Sequence, residues 1–334
     1  MEDKILLAHG SGGKLSHDLL KNTLLRLFDN PLLSKLDDSA VFDFSGRLAF
    51  TTDSYVVTPI FFPGGDIGKL AVCGTVNDLS MAGATPLYLS LSLIIEEGFP
   101  MADLENILLS ILKATEDAAV KIIAGDTKVV HRGNADKIFI NTSGVGLVPN
   151  GLEISSCNAR VGDKIILSGT IGEHGIALLG QREGLRFEPP LQSDCAPLNS
   201  LVNEMIEVSK NIHCLRDPTR GGLASALNEF AESSNVGIRI DEEAIPIQSA
   251  VQAVCELMGF DPLHIANEGK LVALVVPQDA DKVLARMRQN RYGEQARIIG
   301  EVVPEHPRKV VMKTPLGTSR ILDMLTGELL PRIC

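Results

Sequence analysis

Residues 101–130 read MADLENILLSILKATEDAAVKIIAGDTKVV and contain a helix followed by a strand. In the first part, apolar side chains recur at the spacing of one helical face, and these are Leu104, Ile107, Leu108, Ile111 and Leu112. The apolar run at 121–124 then predicts a short buried strand, and the run at 87–95 predicts another strand before the helix. A strand, a helix and a strand in succession favour an α/β fold.

The same alternation continues on both sides of this stretch. Before residue 150 we predict helices at 15–28 and 68–82 and strands at 39–44, 47–52 and 138–148. The turn Pro149-Asn150-Gly151 indicates a domain boundary. After it we predict helices at 174–183, 197–210, 221–234, 248–258 and 279–290 and strands at 165–167, 236–240, 271–276, 297–303 and 308–313. The predicted organisation is a domain at 1–150, a second at 151–317 and a mobile tail at 318–334.

Composition excludes several classes of protein. The 334 residues are 45% hydrophobic and 22% charged, which is typical of a globular chain and too apolar for disorder. The net charge of −11 argues against a nucleic-acid groove, which needs clustered Lys and Arg. The six cysteines are too scattered for a redox or zinc pair, and no apolar run is long enough for a signal peptide or a membrane span. We therefore expect reduced thiols and a cytoplasmic location.

A glycine-rich loop, His9-Gly10-Ser11-Gly12-Gly13-Lys14, precedes the first predicted helix. Backbone N–H groups of such a loop can converge on an anion, and the following helix N-terminus adds positive potential. The loop therefore favours a phosphate site, although a plain flexible turn is an equal alternative on the loop alone. It is not a Walker A loop, because Lys14 is followed by Leu15.

Four aspartates stand beside small residues near predicted strand ends or within the helix of small residues: Asp38, Asp53, Asp78 and Asp126. Carboxylates that converge there would bind Mg²⁺, which in turn bridges the phosphates of ATP. A single aspartate in such a place is more often a turn or capping residue. The set as a whole, with the glycine loop, favours a metal–nucleotide site.

Two segments of the second half carry further chemistry. Arg216-Asp217-Pro218-Thr219-Arg220-Gly221-Gly222 starts a helix with an acid between two arginines, which suits phosphate or metal–phosphate, or is a capped helix with solvated arginines. The chain ends in Pro331-Arg332-Ile333-Cys334. A terminal thiol is either a reactive group on a mobile arm or an incidental cysteine at an unordered end.

Together these segments resemble the superfamily of aminoimidazole ribonucleotide synthetase, selenophosphate synthetase and thiamine-monophosphate kinase. The resemblance rests on the glycine loop, the aspartate segments and the motif Val76-Asn77-Asp78-Leu79. Within the superfamily, the segments at 168–175, 216–222 and 267–269 and the terminal Pro-Arg-Ile-Cys are similar to the HypE family of hydrogenase maturation proteins. This resemblance implies a two-domain α/β (α+β) fold, in which each domain is a mixed sheet packed with helices and the N-terminal domains pair in a homodimer.

The resemblance also implies a reaction. A carbamoyltransferase, HypF, would place a carboxamide on Cys334. The chain would then use ATP to dehydrate it to a thiocyanate, and the cyano group would pass to iron on a HypC–HypD scaffold as a ligand of NiFe hydrogenase.

Residue roles follow from this implied reaction. Glu268, in Asn-Glu-Gly before a predicted strand, is our hypothesis for the base, and Lys128 for the group that orients the amide or the phosphoryl oxygens. The remaining predicted residues fall into two sets. Those for the nucleotide are Gly10, Gly12, Gly13, Lys14, Asp38, Asp53, Asp78, Asp126, Thr127 and Arg220. Those for Mg²⁺ are Asp38, Asp53, Asp78, Asp126 and Asp217.

Three alternatives remain open on the sequence. Selenium chemistry is disfavoured because the glycine loop has Ser11 and no cysteine. A small-molecule kinase of the same fold would not need a terminal thiol. A non-catalytic scaffold could carry Cys334, and then no ATP hydrolysis would accompany its modification.

Overall fold

The N-terminal half is organised around one helix of mostly small and apolar residues. Such a helix offers little polar surface to solvent and has to be covered by other elements. The computed structural model describes residues 4–10, 14–35 (without the Lys14 side chain), 39–325, 327, 329–330 and 332–334. In it, helix α3 (Ile67–Met81) lies between a β-sheet and helices α4 (Met101–Asp117) and α6 (Asn199–Val208). Gly68 permits the close contact with α4, since a Cβ there would lie 2.7 Å from the carbonyl oxygen of Ile107.

The sheet beside α3 has four strands in the order β1-β6-β4-β5. Their bounds are Arg47–Tyr55 for β1, Thr85–Glu96 for β4, Lys121–Val130 for β5 and Ile138–Val148 for β6. Strands β4 and β5 are parallel and joined through α4, whereas the other two pairings are antiparallel. A two-stranded hairpin of β2 (Phe61–Phe62) and β3 (Gly65–Asp66) leads into α3.

The N-terminal segment agrees with the sequence in one element and not in another. The helix predicted at 15–28 is present as α1 (Lys14–Leu19), a π-helical turn (Leu20–Leu24) and α2 (Leu25–Phe28). The strand predicted at 39–44 is wrong, because residues 39–46 pair with no other strand. Val41 is 74% exposed, so local β-propensity alone does not make a strand here.

The C-terminal half is a seven-stranded sheet in the order β13-β12-β9-β11-β7-β10-β8, antiparallel except between β12 and β9. The strands are β7 (Lys164–Leu167), β8 (Ile212–Arg216), β9 (Gly237–Asp241), β10 (Val272–Val275), β11 (Arg297–Val303), β12 (Val310–Lys313) and β13 (Ser319–Leu322). The remaining helices are α5 (Glu173–Glu183), α7 (Gly222–Ser234), α8 (Ser249–Met258) and α9 (Pro277–Met287). Each half therefore has a mixed sheet covered by helices.

Two strands of this sheet were not predicted. The run at 212–216 contains a histidine and a cysteine and forms the edge strand β8. The tail predicted to begin at residue 318 starts later, because residues 319–322 pair with β12 as β13. The residues after Leu322 that the structure describes lie outside this sheet.

One apolar cluster joins the two halves and the tail. It combines residues of α3 with Ile176 and Leu178 of α5 and with Leu330 and Ile333 near the C-terminus. Burial of the tail side chains removes apolar surface from water, which stabilises the folded-back arrangement. Among the described residues, no helix has both the length and the apolar character to cross a membrane.

Candidate active site

The end of β1 and the C-terminal turn of α3 bring two of the predicted aspartates to the same side of the sheet. Thr51 donates a hydrogen bond from Oγ1 to Oδ2 of Asp78 (2.8 Å). Because alternate residues of a strand share a face, Asp53 lies on the side of β1 that carries Thr51 and Tyr55. Burial raises the pKa of Asp78, and the charge of Asp53 adds to the rise. The two carboxylates therefore interact.

Asp217 joins this pair from the C-terminal half, directly after β8. Burial, followed by the charges of Asp78 and Asp53, raises the pKa of its carboxyl to about 7, while Arg216 opposes the rise. Arg216 also forms an ion pair with Glu229, with 2.5 Å between Nη2 of Arg216 and Oε2 of Glu229. The carboxylates repel one another where the two halves meet, which favours a proton on one of them or a nearby cation.

Glu268 is the fourth acid of this cleft cluster, which we define as Asp53, Asp78, Asp217 and Glu268. It is 3% exposed, and its Oε1 is buried without a hydrogen-bond partner. Its pKa is raised well above the usual range by burial, then by Cys195, Asp217, Asp194 and Asp53. An unsatisfied buried carboxyl oxygen is costly, so it points to a group that arrives with a ligand.

Asp194 binds the backbone of the turn that carries Glu268. The carboxylate of Asp194 accepts the N–H groups of Glu268 and Gly269, both at 3.1 Å, and lies 3.3 Å from Nζ of Lys270. Coulombic attraction to Lys270 and these hydrogen bonds lower the pKa of Asp194 despite its burial. A fixed anion beneath the turn sets the position of the Glu268 backbone.

Asn77 ties the two halves together at the cleft. Its Nδ2 donates to the carbonyl oxygens of Ala196 (3.1 Å) and Glu268 (3.4 Å), and its Oδ1 accepts the N–H of Leu198 (2.8 Å). The Asn77 side chain is buried, so no water molecule could take over its hydrogen bonds if the side chain were removed. The neighbouring Asp78 is thereby set opposite Asp217 and Glu268.

The C-terminal tail lies folded back against the start of this cleft. The N–H groups of Thr58 and Val56 donate to the carbonyl oxygen of Arg332 (3.1 Å) and to an oxygen of Cys334 (3.2 Å), which is an antiparallel pairing. Cys334 is half-buried, and its partner Val56 follows Asp53 by three residues in β1 and its extension. The terminal residue is thus paired with the chain three residues beyond Asp53, and its side chain packs against the apolar cluster that joins the two halves.

Other predicted residues form a second group, around the edge strand β5. A cavity of about 370 Å³ lies between the N-terminal helices and β5, and Gly10, Asp126, Thr127 and Lys128 are among its lining residues. Asp126 and Lys128 are exposed and ion-paired with each other at 3.2 Å. Asp126 pairs in register with Ser92 and not with the buried Leu91, so its side chain lies on the outer face of the sheet, away from α3.

Several predicted residues cannot be placed in either group. Gly12, Gly13 and Asp38 lie outside the described residues, as does the side chain of Lys14. Arg220 is exposed at the start of α7. Asn77, His174, Arg182 and Asp194 were not among the predicted site residues. Asn77 and His174 do lie within the motifs that carried the family resemblance.

The donor set of the cleft cluster fits Mg²⁺ through its hard carboxylate oxygens. Within the part of the chain that the structure describes, however, no three acids, histidines or cysteines are close enough to hold a metal ion alone. This agrees with the usual mode of Mg²⁺, which takes one or two carboxylates and completes its shell with water and substrate phosphates. The predicted five-aspartate metal set stays a prediction, because Asp38 lies outside the described residues.

The comparisons with known proteins match this architecture. Residues 36–148 match the N-terminal domain, and residues 160–313 the C-terminal domain, of the AIR synthase related proteins. The carbamoyl dehydratase HypE of Bradyrhizobium diazoefficiens is 53% identical over 330 residues, covering 98% of this chain and 95% of that protein. Both findings confirm the resemblance and the two-domain fold predicted from the sequence.

Solved structures agree. A crystal structure of the hydrogenase maturation protein HypE in complex with ATP is 49% identical, with a TM-score of 0.95 over 98% of this chain and 99% of that one. A crystal structure of a HypE–HypF complex is 50% identical, with a TM-score of 0.82 over 92% and 99%. The chain belongs to the HypE family of hydrogenase maturation proteins, the carbamoyl dehydratases.

Proposed function

We propose that this carbamoyl dehydratase acts on its own C-terminus: it uses ATP with Mg²⁺ to convert a carboxamide on Cys334 into a thiocyanate. The observation that carries the proposal is the docked tail, in which Cys334 pairs with Val56 three residues beyond Asp53 of the cleft cluster, the cluster that also holds the unpartnered Oε1 of Glu268. A relative that is crystallised with ATP and matches nearly the whole chain supports the nucleotide.

The chemistry divides into two steps. In the first, the amide oxygen attacks the γ-phosphorus of ATP and ADP leaves, while the nitrogen gives up one of its two protons, so that the oxygen becomes part of an imidate phosphate ester. In the second, the remaining N–H proton is removed, the C–O bond breaks, phosphate leaves and C≡N forms. The sum is thiocarboxamide plus ATP to thiocyanate, ADP, phosphate and a proton.

Glu268 is the group that we assign to proton removal. Its buried carboxyl has a raised pKa, which makes the ionised form a stronger base than an exposed glutamate. A cation in the cleft would favour that ionised form. One or two of the carboxylates of Asp53, Asp78 and Asp217 would hold Mg²⁺ together with the phosphates of ATP, and the ion when bound would neutralise charge on the transferring phosphoryl group.

We also propose a homodimer through the N-terminal sheet. The outer face of that sheet exposes the apolar residues Leu48, Phe50, Ile94 and Leu147. An apolar face of this kind favours association with a second copy. Asp126 and Lys128 lie on the same face, so in such a dimer they would meet the partner subunit. Our assignment of Lys128 to the amide or the phosphoryl oxygens therefore places it at that interface.

HypF is the proposed source of the carboxamide, because a HypE–HypF complex contains a chain that resembles this one along nearly its full length. We propose a HypC–HypD scaffold as the acceptor of the cyano group, which becomes the cyanide ligand of the NiFe hydrogenase iron. We place these steps in the cytoplasm. The partners require Cys334 to leave the docked position, since its neighbour Ile333 is buried there.

Intact mass spectrometry tests the proposal directly. Full-length protein that has been carbamoylated is incubated with ATP and Mg²⁺, and we expect the mass to fall by one water located at Cys334. The Cys334→Ala variant provides the control, because it should bind ATP and show no such change. Retention of the full carboxamide mass in the wild type, with ATP bound, would favour a mere carrier of the group.

A further inference from the structure

The docked tail is held through its main chain by two side chains of α5. Nε2 of His174 lies 2.7 Å from the carbonyl oxygen of Ile333. Nη2 of Arg182 donates to the carbonyl oxygen of Arg332, and its Nε donates to that of Thr58, both at 2.6 Å. The N–H groups of Val56 and Thr58 also donate to Cys334 and Arg332. Each of the last three residues therefore accepts at least one hydrogen bond.

Because a carbonyl oxygen only accepts, the proton of the His174 ring must be on Nε2. Its Nδ1 lies 2.8 Å from Oγ of Ser193 and so accepts the Ser193 hydroxyl. That hydroxyl oxygen accepts the N–H of Cys195 at 3.1 Å, which leaves its proton for the ring. Ser193 is anchored in turn by its N–H, which donates to the carbonyl oxygen of Pro63 at 2.8 Å.

The imidazole is fully buried and belongs to neither step of the dehydration as assigned above. Burial lowers the pKa of His174, so the neutral ring is the form present at physiological pH. When the tail leaves, the Nε2–H loses the carbonyl oxygen of Ile333 as its partner. A buried donor without an acceptor is unfavourable, so the ring biases the tail toward the docked position.

We propose that His174, held in one tautomer by Ser193, is a positioning residue that latches the C-terminal tail in the cleft by its Ile333 carbonyl. Since the latch contacts only the main chain, it acts whether or not the Cys334 sulfur carries a carboxamide. The proposal rests on the proposed function for its purpose. The docking equilibrium itself can be measured without ATP, partners or carboxamide.

The test is alkylation of the full-length, unmodified protein with iodoacetamide, followed cysteine by cysteine by mass spectrometry. Loss of one hydrogen bond that holds the tail should raise the alkylation rate of Cys334 about five- to tenfold in His174→Leu. The rate should stay near wild type in His174→Gln, whose amide keeps a donor. Ser193→Ala should give a smaller rise, because the tautomer is no longer fixed.

Other thiols and a second histidine serve as controls. Cys157 is exposed and should react alike in every variant, whereas Cys195 and Cys214 are buried and should stay slow. His213→Gln alters a buried histidine that contacts Asp163, away from the tail, and should not change Cys334. An unchanged Cys334 rate in His174→Leu would overturn the latch, as would an equal rise at Cys195 and Cys214, which would mean general loosening.

A second readout links the latch to chemistry. In carbamoylated protein at saturating ATP, His174→Leu should slow the loss of water while leaving ATP affinity unchanged, and His174→Gln should restore the rate. If no variant loses water but alkylation still separates Leu from Gln at position 174, the latch stands and the proposed function fails. If dehydration is normal and alkylation does not separate them, the latch fails alone.

Discussion

Asp53 and Asp126 look alike in the sequence but differ in their surroundings. Each stands in a strand beside a threonine, and each accepts the N–H of the next residue, Ser54 at 2.8 Å and Thr127 at 2.9 Å. Asp53 faces α3 and raises the pKa of the other acids of the cleft cluster. Asp126 lies on the outer face of an edge strand, paired with Lys128. Burial and like-charged neighbours, more than residue type, decide which carboxylate is under electrostatic stress.

The largest expected difference between the two regions concerns Glu268. Glu268→Gln removes the proposed base and should slow the loss of water from the carboxamide about 10²–10⁴-fold, with ATP binding retained. A time course of intact mass after ATP addition measures it.

Glu173 offers a matched control for that variant. It is also 3% exposed and also has one buried carboxyl oxygen without a partner, but it does not belong to the cleft cluster. Glu173→Gln should slow the reaction less than tenfold. Normal turnover by Glu268→Gln would remove Glu268 from the role of base.

The cleft also differs in what its polar residues do for stability. Asn77→Ala removes three hydrogen bonds and leaves the N–H of Leu198 and two carbonyl groups buried without that partner. We expect the free energy of unfolding to fall by about 2–4 kcal/mol, measured by urea denaturation. Alanine at the exposed Asn134 is the control. A loss of less than about 1 kcal/mol would show that the Asn77 hydrogen bonds do not stabilise the contact between the two halves.

The pH dependence of stability sharpens the comparison further. Asp217 has a folded pKa of about 7, above the value of about 3.9 for an unfolded aspartate. The folded state therefore binds the proton more tightly, and this group makes stability fall as pH rises from about 4 to about 7. Asp217→Asn should therefore stabilise the nucleotide-free protein by about 1–2 kcal/mol at pH 8 and leave it unchanged near pH 4.

Thermal unfolding of wild type and Asp217→Asn across that pH range gives the measurement. The Asp217→Asn variant is also expected to bind Mg²⁺–ATP less well, so its gain in stability should shrink when the nucleotide is added. Equal melting temperatures of the two proteins at pH 8 without nucleotide would mean that folding does not raise the pKa of Asp217.

The smallest effect is expected on β5. The Asp126–Lys128 pair is exposed on both sides, and such pairs contribute about 0–1 kcal/mol. Asp126→Asn should change the free energy of unfolding by less than about 0.5 kcal/mol in urea. A loss of unfolding free energy as large as that of Asn77→Ala would show that the exposed β5 residues stabilise the fold as much as the buried cleft residues do.

Periodicity predicted the interior elements well and the irregular ones poorly. The strands at 138–148 and 297–303 have the predicted bounds, because alternating or continuous apolar runs reflect burial on one or two faces. The missed β8 contains His213, whose ring contacts Asp163 at 2.8 Å, a partner fifty residues away. The wrong strand at 39–44 has the right composition and no neighbour to pair with.

The candidate site shows the same division. The motif Asn77-Asp78 and the segment around Glu268 were visible as short patterns, but Asp194 and Arg182 carried no local signal. Their roles arise from contacts with backbone groups far along the chain, such as those of Gly269 and Arg332. A side chain that binds main-chain atoms leaves no pattern in the residues that it binds.

The sequence by itself determined the family, the α/β class and the identity of the acids and of the terminal thiol, because these follow from local spacing and residue chemistry. Only the tertiary structure decided that Asp53, Asp78, Asp217 and Glu268 share one cleft while Asp126 faces outward. It also decided that the tail docks on α5 through His174. Strand order and helix packing set these distances, and they depend on contacts between residues that are remote in the chain.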